Sequence, residues 1–170
     1  SYPDIVNLCN GKPIIIPTNI TNSFKIKPNE LRKSITSNTK WIIFNSPSNP
    51  AGSVYTEKEL TAFCEILDNY PNINIISDDI YEHIVFDGLT FKNIVQIDPS
   101  LKDRTLLVNG VSKAYAMTGW RIGYGAGNET LIRAMTTIQS QSTSNASSIS
   151  QHAAIEALEN TQEFTLKNKV

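Results

Sequence analysis

An amine and a guanidinium occur close together in one short segment that could do covalent chemistry. Ser112-Lys113 and Gly119-Trp120-Arg121 lie within residues 108–127, which read VNGVSKAYAMTGWRIGYGAG. A lysine amine can condense with a carbonyl compound, and the planar fork of an arginine can bind a phosphate. Taken alone, Lys113 is better interpreted as an ordinary solvated loop lysine. The surrounding elements must decide between these two interpretations.

Length and composition favour one globular domain and exclude several classes of partner. The chain has 170 residues, of which 40% are hydrophobic and 18% charged. A net charge of −1 without a basic run gives no support for nucleic acid or a membrane surface as partner. No apolar stretch approaches the roughly 18 residues that span a bilayer. We therefore expect a soluble, cytoplasmic protein.

The cysteines and histidines predict neither a disulfide framework nor a metal site. Only Cys9 and Cys64 are present, and neither has a second Cys or a His at ligand spacing.

The two ends of the sequence suggest that the chain is part of a larger domain. The chain starts at Ser1 without a methionine and stops at Val170 inside a helical pattern, so we expect part of a larger domain.

Apolar runs alternate with helical patterns along the chain. Strands are predicted at 5–9, at 13–17 on an edge, at 41–44, 73–76 and 105–108, in a short extended piece at 84–86, and through Ile122 and Tyr124. Helices are predicted after a cap at Asn29, after a capping box of Thr56 and Glu59, at 129–139, and from 149 to about 167. This alternation predicts right-handed βαβ units, a mostly parallel sheet and a three-layer αβα domain of the α/β class.

Polar residues follow three of these strands where each one ends. Asn49 follows the run at 41–44, Asp78 follows 73–76, and Ser112-Lys113 follows 105–108. In parallel sheets, residues beyond the carboxyl ends of the strands line the ligand crevice. The shared position therefore favours a functional Lys113.

Four pieces in order carry a family resemblance: Asn49-Pro-Ala-Gly52, Ser77-Asp-Asp-Ile-Tyr81, Ser112-Lys113 and Gly119-Trp-Arg-Ile-Gly123. The sequence resembles the class I/II aminotransferases, the fold type I enzymes that use pyridoxal 5′-phosphate, and most of all their bacterial aspartate aminotransferase branch. The resemblance covers essentially all 170 residues, as the central part of the large domain. It implies that the N-terminal part of that domain and the C-terminal small domain lie outside the sequence.

The resemblance assigns a role to each site residue. Lys113 would form the Schiff base with the cofactor and then move the substrate proton. Asp78 would pair with the pyridine nitrogen, while Tyr81 and Asn49 would donate hydrogen bonds to the phenolic oxygen. Arg121 would hold the cofactor phosphate. Each type suits its task, since a carboxylate keeps the nitrogen protonated and the ring can then take up electrons.

Two assignments stay open at this stage. Asp79 is easily confused with Asp78, which is preferred because Tyr81 follows it at the family's spacing. The family often has a phosphate-binding serine three residues before the lysine, where this chain has Gly110. Ser112 or a backbone amide would then take its place. Gly119 and Gly123 are expected to allow close backbone approach.

The implied reaction transfers an amino group from an amino acid, aspartate or a relative, to a 2-oxo acid. Family members are homodimers with the active site at the subunit interface. The glycine-rich loop, the stacking aromatic residue and the carboxylate-binding arginine have no candidate here, so residues 1–170 alone are expected to be inactive and poorly stable. The alternative is a truncated non-catalytic remnant, or a cofactor-binding regulatory or interaction domain.

Overall fold

A four-stranded sheet forms the centre of the computed structural model, which describes residues 2–160. Its strands are β1 (Trp41–Asn45), β2 (Asn74–Asp78), β3 (Thr105–Gly110) and β4 (Gly123–Ala126). They lie side by side in the order β1-β2-β3-β4. The pairs β1–β2 and β2–β3 are parallel, and β3–β4 is antiparallel. The predicted mostly parallel sheet is confirmed.

Helices connect and cover the strands. They are α1 (Tyr2–Leu8), α2 (Pro28–Ser34), α3 (Glu57–Leu67), α4 (Ile94–Ile97), α5 (Glu129–Ser140) and α6 (Ser148–Asn160), with 3₁₀ turns at Ile20–Asn22, Pro99–Arg104 and Thr118–Trp120. The fold class is that of a partial αβα domain, as predicted. None of the helices in residues 2–160 combines the length and apolar character that crossing a bilayer requires.

The main core lies between the sheet and α3. The helix begins with the predicted capping box, in which the Thr56 hydroxyl accepts the Glu59 N–H and the Glu59 carboxylate accepts the Thr56 N–H. Its buried face packs on Phe44 of β1 and Ile75 of β2; it comprises Leu60, Phe63, Cys64, Ile66 and Leu67. This packing fixes the direction in which β1 and β2 point.

A smaller core supports the loop after β3. Val111, Ala114 and Tyr115 from the loop pack against Ala154 and Ala157 of α6. The loop that carries Lys113 therefore rests on a helix instead of standing free in solvent. Small alanines on α6 let the helix approach the loop closely.

The two strands predicted at residues 5–9 and 13–17 do not form, so these predictions are wrong. Residues 5–8 belong to α1, which Pro3 opens without needing its missing N–H, and Ile5 and Leu8 are 57% and 84% exposed. Residues 13–17 form no strand, since Ile14 and Ile15 face outward. Adjacent apolar residues predict burial, but they are buried only where other parts of the protein pack against them.

Three smaller predictions need adjustment. Lys27 occupies the cap position of α2 instead of Asn29, because Pro28 takes the first helical position and the Glu30 carboxylate accepts the Lys27 N–H. Residues 84–86 run without regular secondary structure. The last helix is described as α6 up to Asn160, and its predicted continuation to about 167 lies outside the described residues.

Candidate active site

The carboxyl ends of β1 and β2 are joined by one asparagine. Asn45 pairs in register with Asp78, and its Nδ2 donates to the Asp78 carbonyl at 3.1 Å. The Asn45 Oδ1 accepts the backbone N–H of Asn49 at 3.1 Å. The predicted residues Asn49 and Asp78 are thus tied to the same amide. The side chain of Asn49 itself is exposed.

The Asp78 carboxylate is held by two donors. Its Oδ1 accepts the Ile80 N–H at 3.3 Å, and its Oδ2 accepts the hydroxyl of Tyr2 in α1. Burial, followed by this hydrogen bond and the nearby negative charge, raises the pKa of the Tyr2 hydroxyl. The phenol therefore stays protonated and continues to donate.

Asp79 points into the core, away from Asp78. It is 2% exposed; its Oδ1 accepts from the Ser77 hydroxyl at 2.6 Å and its Oδ2 from the Asn93 amide at 2.9 Å. Burial raises the pKa of the Asp79 carboxyl, and the two hydrogen bonds oppose that shift. Its backbone N–H donates to Val108, which continues the ladder to β3. The Asp79 carboxylate thus stabilises the fold, whereas the Asp78 carboxylate is the one that can face a ligand in the crevice.

Lys113 lies over the ring of Tyr81, with its Nζ 5.8 Å from the ring centroid. Both side chains are partly buried. Within residues 2–160, no hydrogen bond or salt bridge engages the Lys113 amine. An amine that is positioned but not engaged can react with an incoming carbonyl.

Thr118 links the two residues predicted to bind phosphate. Its hydroxyl donates to the Ser112 carbonyl at 2.8 Å, and its own carbonyl accepts Arg121 Nη1 at 2.9 Å. Arg121 is exposed and has a left-handed backbone with φ 52°. The rest of its guanidinium remains available to an anion.

Glu82 and Asn109 fasten the Tyr81 turn to the end of β3, a contact that the sequence analysis missed. The Asn109 Nδ2 donates to Glu82 Oε1 at 2.5 Å, and the Asn109 Oδ1 accepts the Gly110 N–H at 2.7 Å. Glu82 directly follows Tyr81, and Asn109 directly precedes Gly110, the position where the family often has a serine. These neighbours are the sequence signal that could have suggested the two residues. The contact sets the distance between the Tyr81 turn and the Lys113 loop.

Gly110 pairs with Gly123 where β3 and β4 are closest. A Cβ at Gly110 would stand 3.0 Å from both the Gly123 Cα and the Ile122 carbonyl oxygen. A Cβ at Gly123 would stand 3.0 Å from the Asn109 oxygen, so the predicted close approach holds there. At Gly119 no described residue makes such an approach, since a Cβ there would meet none of their atoms within 4 Å.

Gly110→Ser is therefore expected to destabilise the protein although serine is common at this position in the family. A side chain must push β4 from β3, and overpacking of this kind costs about 1–3 kcal/mol in free energy of unfolding. Urea denaturation measures the change. Gly119→Ser is the matched control, because that position has open space, and a loss of stability as large as that of Gly110→Ser would contradict the packing argument.

Comparisons with known proteins identify the family to which the chain belongs. The family model "Aminotransferase class I and II" matches residues 1–170. A probable aspartate/prephenate aminotransferase of Rickettsia typhi is 60% identical over 168 residues, and an aspartate/prephenate aminotransferase of Cereibacter sphaeroides is 57% identical over 169. Each alignment covers 99% of this chain and 42% of the relative. The crystal structure of an aspartate aminotransferase from Rhizobium meliloti superposes with a TM-score of 0.96 at 48% identity, covering 99% of this chain and 42% of that one.

The chain belongs to the class I and II aminotransferases and has the fold of a partial domain of that family. It spans about 42% of the length of the curated relatives it matches. Among residues 2–160, no group of three or more His, Cys, Asp or Glu side chains is placed to hold a metal ion.

Proposed function

We propose that the protein containing this chain transfers an amino group from an amino acid to a 2-oxo acid with pyridoxal 5′-phosphate as cofactor. The observation that supports this most is the pairing of Lys113 with Tyr81, three residues beyond the carboxylate of Asp78. An unengaged amine, a phenol and a fixed carboxylate lie at neighbouring strand ends.

The donor set suits each part of that cofactor. Asp78 offers a carboxylate to the pyridinium nitrogen, and Tyr81 and Asn49 offer hydrogen-bond donors to the phenolic oxygen. Arg121 offers its unoccupied guanidinium nitrogens to the phosphate, with Ser112 or a backbone amide as a second contact. When bound, the cofactor supplies an aldehyde for amines and a ring that takes up electrons from the substrate α-carbon.

The residues of this chain then position groups and move one proton. Lys113 would hold the cofactor until the substrate amine replaces it, and its freed amine would then move the proton from the substrate α-carbon to the cofactor carbon. Contact with the Tyr81 ring would limit the positions that the freed amine can take. Packing of Val111 and Ala114 against α6 limits the movement of the loop, so the amine returns to the same place after each turnover.

Aspartate is the proposed amino donor. The relatives from Rickettsia and Cereibacter are named for aspartate and prephenate, so prephenate is a second candidate acceptor. From the family resemblance we propose a homodimer, and from the composition of the sequence a cytoplasmic location. Large exposed apolar side chains, among them Ile138 and Ile149 at 71% and 72% exposure, support further contacts in the whole protein.

The test is an assay of the complete protein, purified with pyridoxal phosphate. Amino transfer from aspartate to 2-oxoglutarate, and to prephenate in a parallel reaction, is the expected result. Cofactor absorbance without turnover on either acceptor would favour a regulatory or interaction domain. Failure to bind the cofactor at all would indicate a non-catalytic remnant.

A further inference from the structure

The carboxylate of Asp78 accepts a hydrogen bond from Tyr2, the first residue that the structure describes. Tyr2, 76 residues earlier in the sequence, donates its hydroxyl to Asp78 Oδ2. The other oxygen, Oδ1, accepts only the longer Ile80 N–H at 3.3 Å. Tyr2 therefore makes the shorter of the two contacts that orient this carboxylate.

Core packing does not explain the contact. No residue of α1 is buried, and the Tyr2 side chain itself is 37% exposed. Here the hydroxyl turns to a carboxylate at the crevice, and its desolvation contributes to the raised pKa of Tyr2.

We infer that Tyr2 is a positioning residue that fixes the plane of the Asp78 carboxylate for the ring nitrogen of the cofactor. The role toward the cofactor rests on the proposed function, whereas the contact between Tyr2 and Asp78 is seen in the structure. The terminal torsion of an aspartate has broad minima, so a carboxylate held at one oxygen can rotate. A second donor at Oδ2 removes that freedom and leaves further lone pairs for an incoming N–H.

The hydroxyl can be removed without changing the ring by Tyr2→Phe in the full protein. Without cofactor, the ¹³Cγ signal of Asp78 in aspartate-labelled protein reports on the contact, and its loss in Asp78→Asn assigns it. The Asp78 signal is expected to move in Tyr2→Phe and to stay in place in Asp4→Asn, which changes an exposed residue of the same helix. An unmoved signal in Tyr2→Phe would overturn the inference.

A double-mutant cycle then separates positioning from general stability. Tyr2→Phe is expected to weaken pyridoxal phosphate binding about three- to tenfold, which corresponds to the net contribution of a typical hydrogen bond. In the Asp78→Asn background the same change is expected to alter binding less than about twofold. Equal losses in both backgrounds would mean that Tyr2 does not act through Asp78. If the unsubstituted protein binds no cofactor, the proposed function fails and the ¹³Cγ signal alone decides the inference.

Discussion

Replacing Lys113 with alanine is expected to abolish measurable amino transfer. The side chain supplies both the amine that holds the cofactor and the base that moves the substrate proton. Loss of the acid–base role alone lowers a rate by about 10²–10⁴-fold, and loss of the covalent attachment adds to it. The measurement is kcat with aspartate and 2-oxoglutarate. Lys102→Ala is the matched control, because Lys102 is exposed and is expected to retain full activity.

The same lysine is expected to carry the cofactor after chemical trapping. Borohydride reduction of the complete protein, followed by digestion and mass spectrometry, should find the added mass on the peptide with Lys113. Among the lysines of residues 2–160, only Lys113 combines partial burial with contact to the Tyr81 ring. A reduced adduct on Lys92 or Lys102 would refute the assignment of Lys113, whatever the activity of the alanine variant.

Asp78→Asn and Asp79→Asn are expected to fail in different ways. Asp78→Asn should lower kcat by about 10²–10³-fold, since a carboxylate in a low-dielectric site stabilises the transition state by several kcal/mol. Its free energy of unfolding should change little, because Asp78 receives one backbone hydrogen bond and one from a partly exposed tyrosine.

Asp79→Asn should instead keep kcat within about threefold and lower stability by about 1–3 kcal/mol, the range for hydrogen bonds to charged groups. Its carboxylate is buried and accepts from both Ser77 and Asn93, and the amide has only one acceptor atom to offer them. Steady-state kinetics and urea denaturation of both variants separate the two effects. Equal losses of kcat in the two variants would mean that the wrong carboxylate has been assigned to the cofactor.

The central part of the fold was predictable because its sequence signals are local. The apolar runs at 41–44, 73–76 and 105–108 became β1, β2 and β3, and the capping box at Thr56 opened α3. Errors fell at residues 5–17, where Ile5, Ile14 and Ile15 are apolar but exposed. A sequence pattern reports which residues are apolar, whereas burial depends on what else covers them.

The candidate site was predictable in its residue types but not in its supports. Motif spacing singled out Asp78, Tyr81 and Lys113, and those assignments remain predictions that the experiments above address. Tyr2 could not be found, because its contact with Asp78 joins positions 76 residues apart and no local pattern encodes such a pair. Thr118 was also invisible, since its role depends on the turn that brings its hydroxyl to the Ser112 carbonyl.

Because Asp78 and Asp79 are consecutive and face opposite ways, the site depends on the exact register of β2 in the sheet. Side chains alternate along an extended chain, so shifting β2 by one residue against β1 and β3 would turn Asp79 to the crevice and Asp78 to the core. The hydrogen bonds that join Asp79 to Asn93 and to Val108 of β3 oppose such a slip. In natural variants, we therefore expect single-residue insertions or deletions between α3 and β2 only where the connecting turn changes its length. The register of β2 against β1 and β3 then stays the same.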